Sequence, residues 1–222
     1  RARLLHALAS AAVDSETSFD VLAVTTEAMH LVPADPHTPL RAQVLGVHAR
    51  ANSDRLRDED ASRWAEKALK MAEQLGLADV AADAAMTLSR LDERSGDPES
   101  ALRTLLRGID TARTAGEVAA ELRGLFSLGS IFYEDGHLAQ ARSAFESAAE
   151  RARSSGRPWA PYGIDSRALA GVVAYVDGDW DAALGIVDVA GESPPAMSEA
   201  QLASVGLSVH AGRGDLAAVD LL

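Results

Sequence analysis

The sequence predicts an all-α protein built from antiparallel helical hairpins that stack into a solenoid, and three observations support this. Residues 121–155 place apolar side chains at helical spacing on both sides of the turn dipeptide Asp135-Gly136, as expected for two helices folded back on each other. A small residue of the second helix recurs every forty residues, at Val21, Ala61, Ala101 and Ala141. The apolar residues are largely alanine and aromatic residues make up only 5%, which favours close-packed helices over strands.

The best-formed hairpin carries L-x-x-L-G-x-x-F from Leu125, followed by G-x-x-x-x-A-x-x-x-F-x-x-A from Gly136. This pattern resembles the signature of tetratricopeptide (TPR) repeats, in which each repeat is one helical hairpin. The resemblance implies a TPR-like α-solenoid that winds as a right-handed superhelix. Because a TPR usually has about 34 residues, the period of about forty predicts helices that are longer by about a turn.

The predicted repeats cover residues 1–36, 37–77, 78–117, 118–157, 163–194 and 197–222, the last one truncated. Proline ends the first, and glycine, aspartate and proline in succession form the turn of the third. The turn of the second, RLRDED, lacks the usual glycine. Its acidic run at 58–60 is expected to complement the start of the following helix rather than to bind a metal. We expect a single array over 1–222, cut from a longer protein.

Composition and charge exclude several classes of function. The formal charge of -12 disfavours contact with nucleic acid or an acidic membrane surface. The absence of cysteine removes disulfides and thiolate chemistry, and is compatible with the cytoplasm as the expected location. No apolar run approaches the length of a membrane span.

The sequence contains no recognisable catalytic motif. It has neither a phosphate-binding loop nor a G-x-S-x-G nucleophile elbow, and its six histidines have no metal-ligand spacing. We therefore predict that the protein is not an enzyme and holds no cofactor and no metal.

The candidate binding surface is the concave groove that the first helices of stacked repeats would form. Arginines and aromatic residues align there, a composition that suits a protein, an acidic peptide or a small anionic effector. The predicted groove consists of Arg50, Met86, Arg90, Arg94, Arg123, Phe126, Ser130 and Tyr133. The alternative is that these arginines pair internally with Asp54, Asp83, Glu93 and Glu134.

A second, weaker candidate is a polar pocket. Asn52 and Asp92 occupy the position that Phe132 fills in the fourth repeat, and His48 replaces an inward-facing leucine. A polar group where packing is expected must find a partner or reach solvent. Either the hairpins splay there, or His48, Asn52 and Asp92 contribute to a polar pocket. A partly buried structural role is the alternative for His48.

Several stretches are similar to the helical-repeat region of large ATP-binding transcriptional regulators of the LuxR type. These regulators carry a signalling ATPase, a TPR array and a helix-turn-helix. The similar stretches are LVPADPHTPLRAQVLGVHARA, DEDASRWAEKALKMAEQLG, GDPESALRTLLRGIDTAR and LGSIFYEDGHLAQARSAF. The resemblance implies a bacterial sensor and coupling module in which effector or partner binding changes the contact with the other domains of the regulator.

Two other functions remain open. One is a constitutive adaptor whose array only docks another protein. The other is a repeat region attached to a different signalling protein, such as a cyclase or a kinase. The domains encoded on either side of the array would separate the three.

Overall fold

The computed structural model describes residues 1–13 and 19–219. Within these ranges the chain forms helices joined by short loops, so the all-α prediction is confirmed. The helices are α1 Ala2–Val13, α2 Val21–Leu31, α3 Pro39–Asp54, α4 Asp58–Leu75, α5 Ala78–Arg94, α6 Pro98–Ala115, α7 Val118–Glu134, α8 Leu138–Ser154, α9 Pro161–Val176, α10 Trp180–Val187, α11 Ala196–Arg213 and α12 Leu216–Val219.

The chain divides into two compact units. Unit 1 is Arg1–Gly124 and unit 2 is Leu125–Leu222, so the boundary falls inside α7. Unit 1 contains α1 to α6 and the first part of α7, and unit 2 contains the remainder. The single array over 1–222, its period and its handedness stay predictions.

Helix starts follow the capping signals of the sequence. The Asp97 carboxylate accepts a hydrogen bond from the Ser100 amide at 2.9 Å, and Pro98 is the first residue of α6. Asp179 caps α10 in the same way, through the Ala182 amide at 3.2 Å. The acidic run 58–60 occupies the first turn of α4, where it faces the positive end of the helix dipole.

The recurring small residue is buried in four of the second helices. Ala61, Ala101, Ala141 and Ala183 are each the fourth residue of their helix and at most 1% exposed. The first repeat departs from this frame. Since α4, α6 and α8 start at 58, 98 and 138, a forty-residue period places the start of α2 at 18, yet α2 starts at 21, three residues later. Val21 therefore lies in the first turn and is only half-buried.

The turns between paired helices use the left-handed backbone conformation. Gly96, Gly136 and Gly178 have φ of 86°, 77° and 84°. Leu56 takes this role in the turn that lacks glycine, with a φ of 55° and a side chain that is 73% exposed. A residue with a Cβ carries a steric cost in this conformation.

Close helix approach in unit 2 depends on the glycine of the L-x-x-L-G pattern. Phe145, 1% exposed, lies directly against Gly129, where an added Cβ would come within 2.6 Å of the phenyl ring. This contact explains why the residue that faces Phe145 is a glycine.

Arginine side chains donate hydrogen bonds to carbonyl groups at the C-terminal ends of two short second helices. Arg41 donates to the carbonyl oxygens of Met29 and Val32 at 2.7 and 2.8 Å, at the end of α2. In unit 2, Arg167 donates to the carbonyls of Ile186 and Asp188 at 2.8 and 2.6 Å, where α10 ends after eight residues. These contacts satisfy carbonyl groups that a helix end leaves without partners.

Candidate functional site

Two of the predicted groove arginines form ion pairs between successive repeats of unit 1. The Arg90 Nη1 atom lies 3.3 Å from Asp54 Oδ1. Arg94 contacts both carboxylate oxygens of Asp58, at 2.6 and 3.2 Å, and donates to Ser53 Oγ at 2.9 Å. Both arginines lie on α5, and their partners belong to the α3/α4 hairpin. These contacts hold the second and third hairpins together.

Arg123 and Met86 are buried. The Arg123 guanidinium pairs with Asp83 and donates to Thr87 Oγ1 at 3.3 Å, and the residue is 4% exposed. Met86 is 3% exposed and packs beside Gly108 and Gly124. The prediction that Met86 lines an open groove is therefore wrong, because glycines on two neighbouring helices leave room for its side chain in the core.

Of the two alternatives for the arginines, internal pairing describes Arg90, Arg94 and Arg123, with the predicted partners Asp54 and Asp83 among their acceptors. Arg50 is half-buried on α3 and is engaged in an interaction as well. An anionic ligand would have to displace carboxylates that are already in place. The paired arginines therefore link repeats more readily than they capture an anion.

The remaining predicted groove residues lie on the part of α7 that belongs to unit 2. Phe126 is half-buried, and its ring centroid lies 5.4 Å from that of Tyr162 and 6.0 Å from that of Phe145. Ser130 donates to the Phe126 carbonyl at 3.1 Å. Tyr133 is 39% exposed. On this helix face the Tyr133 ring is exposed to solvent, whereas the Phe126 ring packs against two other aromatic rings.

A cleft of about 670 Å³ opens in unit 1 between α2, α3 and α4, and it contains two of the three residues of the predicted polar pocket. His48 and Asn52, both on α3, line it. Asp92 does not join them, because it lies on α5 and accepts from Ser100 Oγ at 2.9 Å within its own hairpin. The other lining residues are Asp20, Leu22, Ala23, Thr26, Glu27, His30, Arg57, Asp60, Arg63 and Trp64.

His48 and Asn52 are held rigidly in the wall of this cleft. His48 is 8% exposed, and its Nδ1 atom lies 2.9 Å from Thr25 Oγ1 on α2. Asn52 is 2% exposed and donates from Nδ2 to the His48 carbonyl at 2.8 Å. Burial lowers the pKa of His48 below its ordinary value of 6.5, and this outweighs the opposing effect of Asp60. His48 is therefore neutral at neutral pH.

Trp64 forms the aromatic wall of the cleft. Its ring meets the His48 ring edge-on, with centroids 5.6 Å apart and an interplanar angle of 69°. The Arg63 guanidinium lies 4.9 Å and the Lys67 ammonium 4.7 Å from the indole centroid. Cations are attracted to the face of an indole ring. The cleft thus combines an aromatic surface with two deeply buried polar side chains.

The carboxylates of the cleft each have a cationic neighbour. Asp20 pairs with Arg55 at 3.1 Å, Asp60 pairs with Arg63, and Glu27 pairs with Arg1. These pairs are at least partly exposed to solvent, so each contributes about 0–1 kcal/mol. The Arg57 side chain has no such partner among the residues that the structure describes.

Trp64 and Arg57 are not among the site residues predicted from the sequence. Trp64 lies on a second helix, and a groove search restricted to first helices passes over it. The signal available in the sequence is that Trp64 is one of only three tryptophans and lies three residues after the small residue Ala61. That spacing puts the two residues on one helix face.

No group of three metal-ligating side chains converges within 1–13 and 19–219. Across the same ranges, none of the helices has both the length and the apolar content that crossing a bilayer requires.

The architecture is shared with solved helical-repeat proteins. No protein-family model matches the chain, and no curated protein matches its sequence. A Podosopora anserina kinesin light chain with nearly identical TPR-like repeats superposes with a TM-score of 0.55 at 13% identity, over 93% of this chain and 95% of that one. This match and the all-helical architecture of the described residues establish the TPR-like fold.

Two further solved structures cover nearly the whole chain. A Rap protein in complex with competence and sporulation factor has a TM-score of 0.69 at 16% identity, over 99% of this chain and 61% of its own. Aspartyl phosphate phosphatase F from Bacillus subtilis has a TM-score of 0.63 at 15% identity, over 99% of this chain and 57% of its own. The chain thus spans about three fifths of the length of these two proteins.

Proposed function

We propose that this chain is a non-catalytic ligand-binding and coupling module of a bacterial transcriptional regulator that acts in the cytoplasm. The observation that carries the proposal is the cleft between α2, α3 and α4, where His48 and Asn52 present buried polar groups beside Trp64. The TPR-like fold supports a binding role. The resemblance to LuxR-type regulators supports the regulatory context.

The ion pairs between repeats suit a coupling function. Arg90 and Arg94 join the second and third hairpins, and Arg123 joins α7 to α5. A ligand that changes the packing around α3 and α4 alters the positions of Asp54 and Asp58, and through them the next hairpin. The size of that response is set by the difference in ligand affinity between the two arrangements.

The test is a thermal-shift screen of the chain against small metabolites, followed by small-angle scattering on each compound that binds. We expect at least one compound to raise the thermal midpoint and change the scattering profile, and Trp64→Ala to abolish both effects. A folded Trp64→Ala variant that keeps them, or a screen without any response, would count against a ligand sensor.

The regulatory context needs a separate test. The complete reading frame should be expressed and its binding to promoter DNA measured in the presence of ATP, with and without the compound from the screen. We expect the compound to change DNA binding, and Trp64→Ala to remove the change. A reading frame without a nucleotide-binding and a DNA-binding domain would remove the regulator from consideration.

The exposed Tyr133 ring of unit 2 favours a second function, a constitutive protein-docking adaptor. Phe126, Ser130 and Tyr133 lie on one face of α7, and Tyr133 is 39% exposed. Aromatic residues are enriched at the centres of binding interfaces. A peptide selected by phage display against the chain should then lose affinity in Tyr133→Ala and leave the scattering profile unchanged. A selected peptide that binds Tyr133→Ala as well as the unaltered chain would exclude this surface.

A further inference from the structure

We propose that the cleft between α2, α3 and α4 recognises an ammonium or guanidinium group. This inference rests on the proposed ligand-binding function and names the chemical class of the ligand. It follows from the acceptor atoms that His48 and Asn52 offer at the inner end of the cleft.

The hydroxyl group of Thr25 links the tautomer of His48 to the ligand. Thr25 Oγ1 lies 3.1 Å from the Leu22 carbonyl and 2.9 Å from His48 Nδ1, and its single proton can serve one of the two contacts. When the proton goes to the carbonyl, Nδ1 donates to Thr25 and Nε2 of the neutral imidazole is an acceptor. A ligand with donors only selects this tautomer. Nε2 has no partner among the residues that the structure describes.

Asn52 presents a second acceptor. Its Nδ2 atom donates to the His48 carbonyl at 2.8 Å, and the opposite amide orientation would set two oxygens against each other. Oδ1 therefore points away from that carbonyl, and it too has no partner within the described ranges. The Asn52 residue is 2% exposed, but Oδ1 is not sealed from solvent, so it can accept a hydrogen bond from a donor that enters the cleft.

Ammonium and guanidinium groups match this arrangement because they carry several donors and no acceptor. Three charged groups act on the His48 imidazole: the Asp60 carboxylate raises its pKa, whereas Arg41 and Arg63 lower it. The indole of Trp64 already attracts two cationic side chains of the protein. The lining of the cleft holds three carboxylates and two guanidinium groups, and two of the carboxylates pair with arginines outside the lining, Arg55 and Arg1.

An anionic ligand is the competing possibility, because Arg57 lies in the lining and its side chain has no partner within residues 1–13 and 19–219. Arg57 is exposed, however, whereas His48 and Asn52 are more than nine-tenths buried. An exposed arginine is well solvated by water and gains little from a ligand. The buried acceptors therefore favour a cation, and an anion becomes an outcome of the test.

Isothermal titration calorimetry of the intact chain is the first experiment, with arginine and spermidine as free cations and a terminally blocked peptide that contains one arginine. Binding of the free cations identifies a small-molecule site, and binding of the peptide alone identifies a side-chain site. Citrate is the anionic probe. Failure of both the cations and the peptide overturns the inference. The proposed function then still stands if a different compound binds in a Trp64-dependent way.

Three variants test which residues of the cleft bind the cation. His48→Phe keeps an aromatic ring against Trp64 and removes the acceptor, and we expect it to weaken binding about tenfold or more, as for a lost hydrogen bond to a charged group. Asn52→Leu should weaken binding in the same direction. Arg57→Ala is the matched control, and a cation should bind it as tightly as before or more tightly. Loss of citrate binding in Arg57→Ala, without cation binding to the unaltered chain, would assign the cleft to anions.

Acidification provides a test that needs no variant. The charged and titratable groups that face His48 are Arg41 on α3, Asp60 and Arg63 on α4, and the neighbouring cleft residues Asp20, Glu27, His30 and Arg57. Protonation of Nε2 replaces the acceptor with a positively charged donor. Cation affinity should therefore fall as the pH is lowered below 6.5, the ordinary value for histidine. An affinity that stays constant while the chain remains folded would overturn the role of His48.

Discussion

Arg123 pairs with Asp83 across the contact between α7 and α5, and the arginine side chain is 5% exposed whereas that of Asp83 is 27% exposed. Removing one partner of a buried pair leaves the other charge without compensation. We expect Arg123→Ala to lower the free energy of unfolding by about 2–3 kcal/mol. This loss is smaller than the loss for a fully buried ion pair, because water can still solvate the Asp83 carboxylate. Urea denaturation measures the change.

Arg153→Ala is the control for that variant. Arg153 pairs with Glu150 at 3.0 Å, but both side chains are more than 60% exposed. An exposed pair of this kind contributes about 0.2–1 kcal/mol. Equal losses in the two arginine variants would show that burial of Arg123 has no energetic consequence.

Replacing Leu56 by glycine should stabilise the protein. A leucine with φ of 55° has a steric cost of about 1–2 kcal/mol in the folded state. A glycine at this position avoids that cost, but folding it costs about 0.5–1 kcal/mol more in chain entropy. The net gain should be about 0.5–1 kcal/mol, visible as a higher thermal midpoint. The matched change, Gly96→Ala, introduces the same steric cost at φ of 86° and should lower the midpoint.

Two glycines on helices of unit 2 should respond in opposite ways to alanine. An added Cβ at Gly129 would come within 2.6 Å of the Phe145 ring, so Gly129→Ala should destabilise by about 1–3 kcal/mol. At Gly185 an added Cβ meets no atom within 4 Å, so Gly185→Ala should stabilise α10 by about 0.5–1 kcal/mol. Differential scanning calorimetry of both variants tests this contrast. Similar shifts in both would refute it.

Stability should decrease on mild acidification. Burial lowers the pKa of His48 and of His6 below 6.5, so below that pH the unfolded chain binds more protons than the folded chain. The free energy of unfolding is therefore highest above pH 6.5 and falls as the pH drops through the folded pKa values. Urea titrations at a series of pH values give the slope, and His48→Phe should reduce it. An unchanged slope in that variant would show that His48 contributes nothing.

The hairpins were predictable because local chemistry determines them. Turn glycines such as Gly136, caps such as Asp97 and the buried alanine at each fourth position act within a few residues of the feature they produce. The pairing of the arginines with Asp54 and Asp83 was also predictable, because a repeat of known period brings residues about forty positions apart into neighbouring places.

The cleft was only half predictable. His48 and Asn52 stand out as polar residues at packing positions, but the wall formed by Trp64 depends on how α2 lies beside α4. The start of α2 at Val21, three residues after the position 18 given by the forty-residue frame, was equally unpredictable. Met86 was misplaced for a similar reason, because its burial depends on glycines 108 and 124, which lie on two other helices.

The ion pairs of unit 1 distinguish one repeat from another. Arg90 and Arg94 find Asp54 and Asp58 one repeat earlier, but the positions forty residues after Arg90 and Arg94 are Ser130 and Glu134. A duplicated or exchanged hairpin would therefore bring unmatched charges to the interface, even though its alanines would still fit. The buried alanines would allow the hairpins to stack in any order, whereas the ion pairs specify which hairpin follows which.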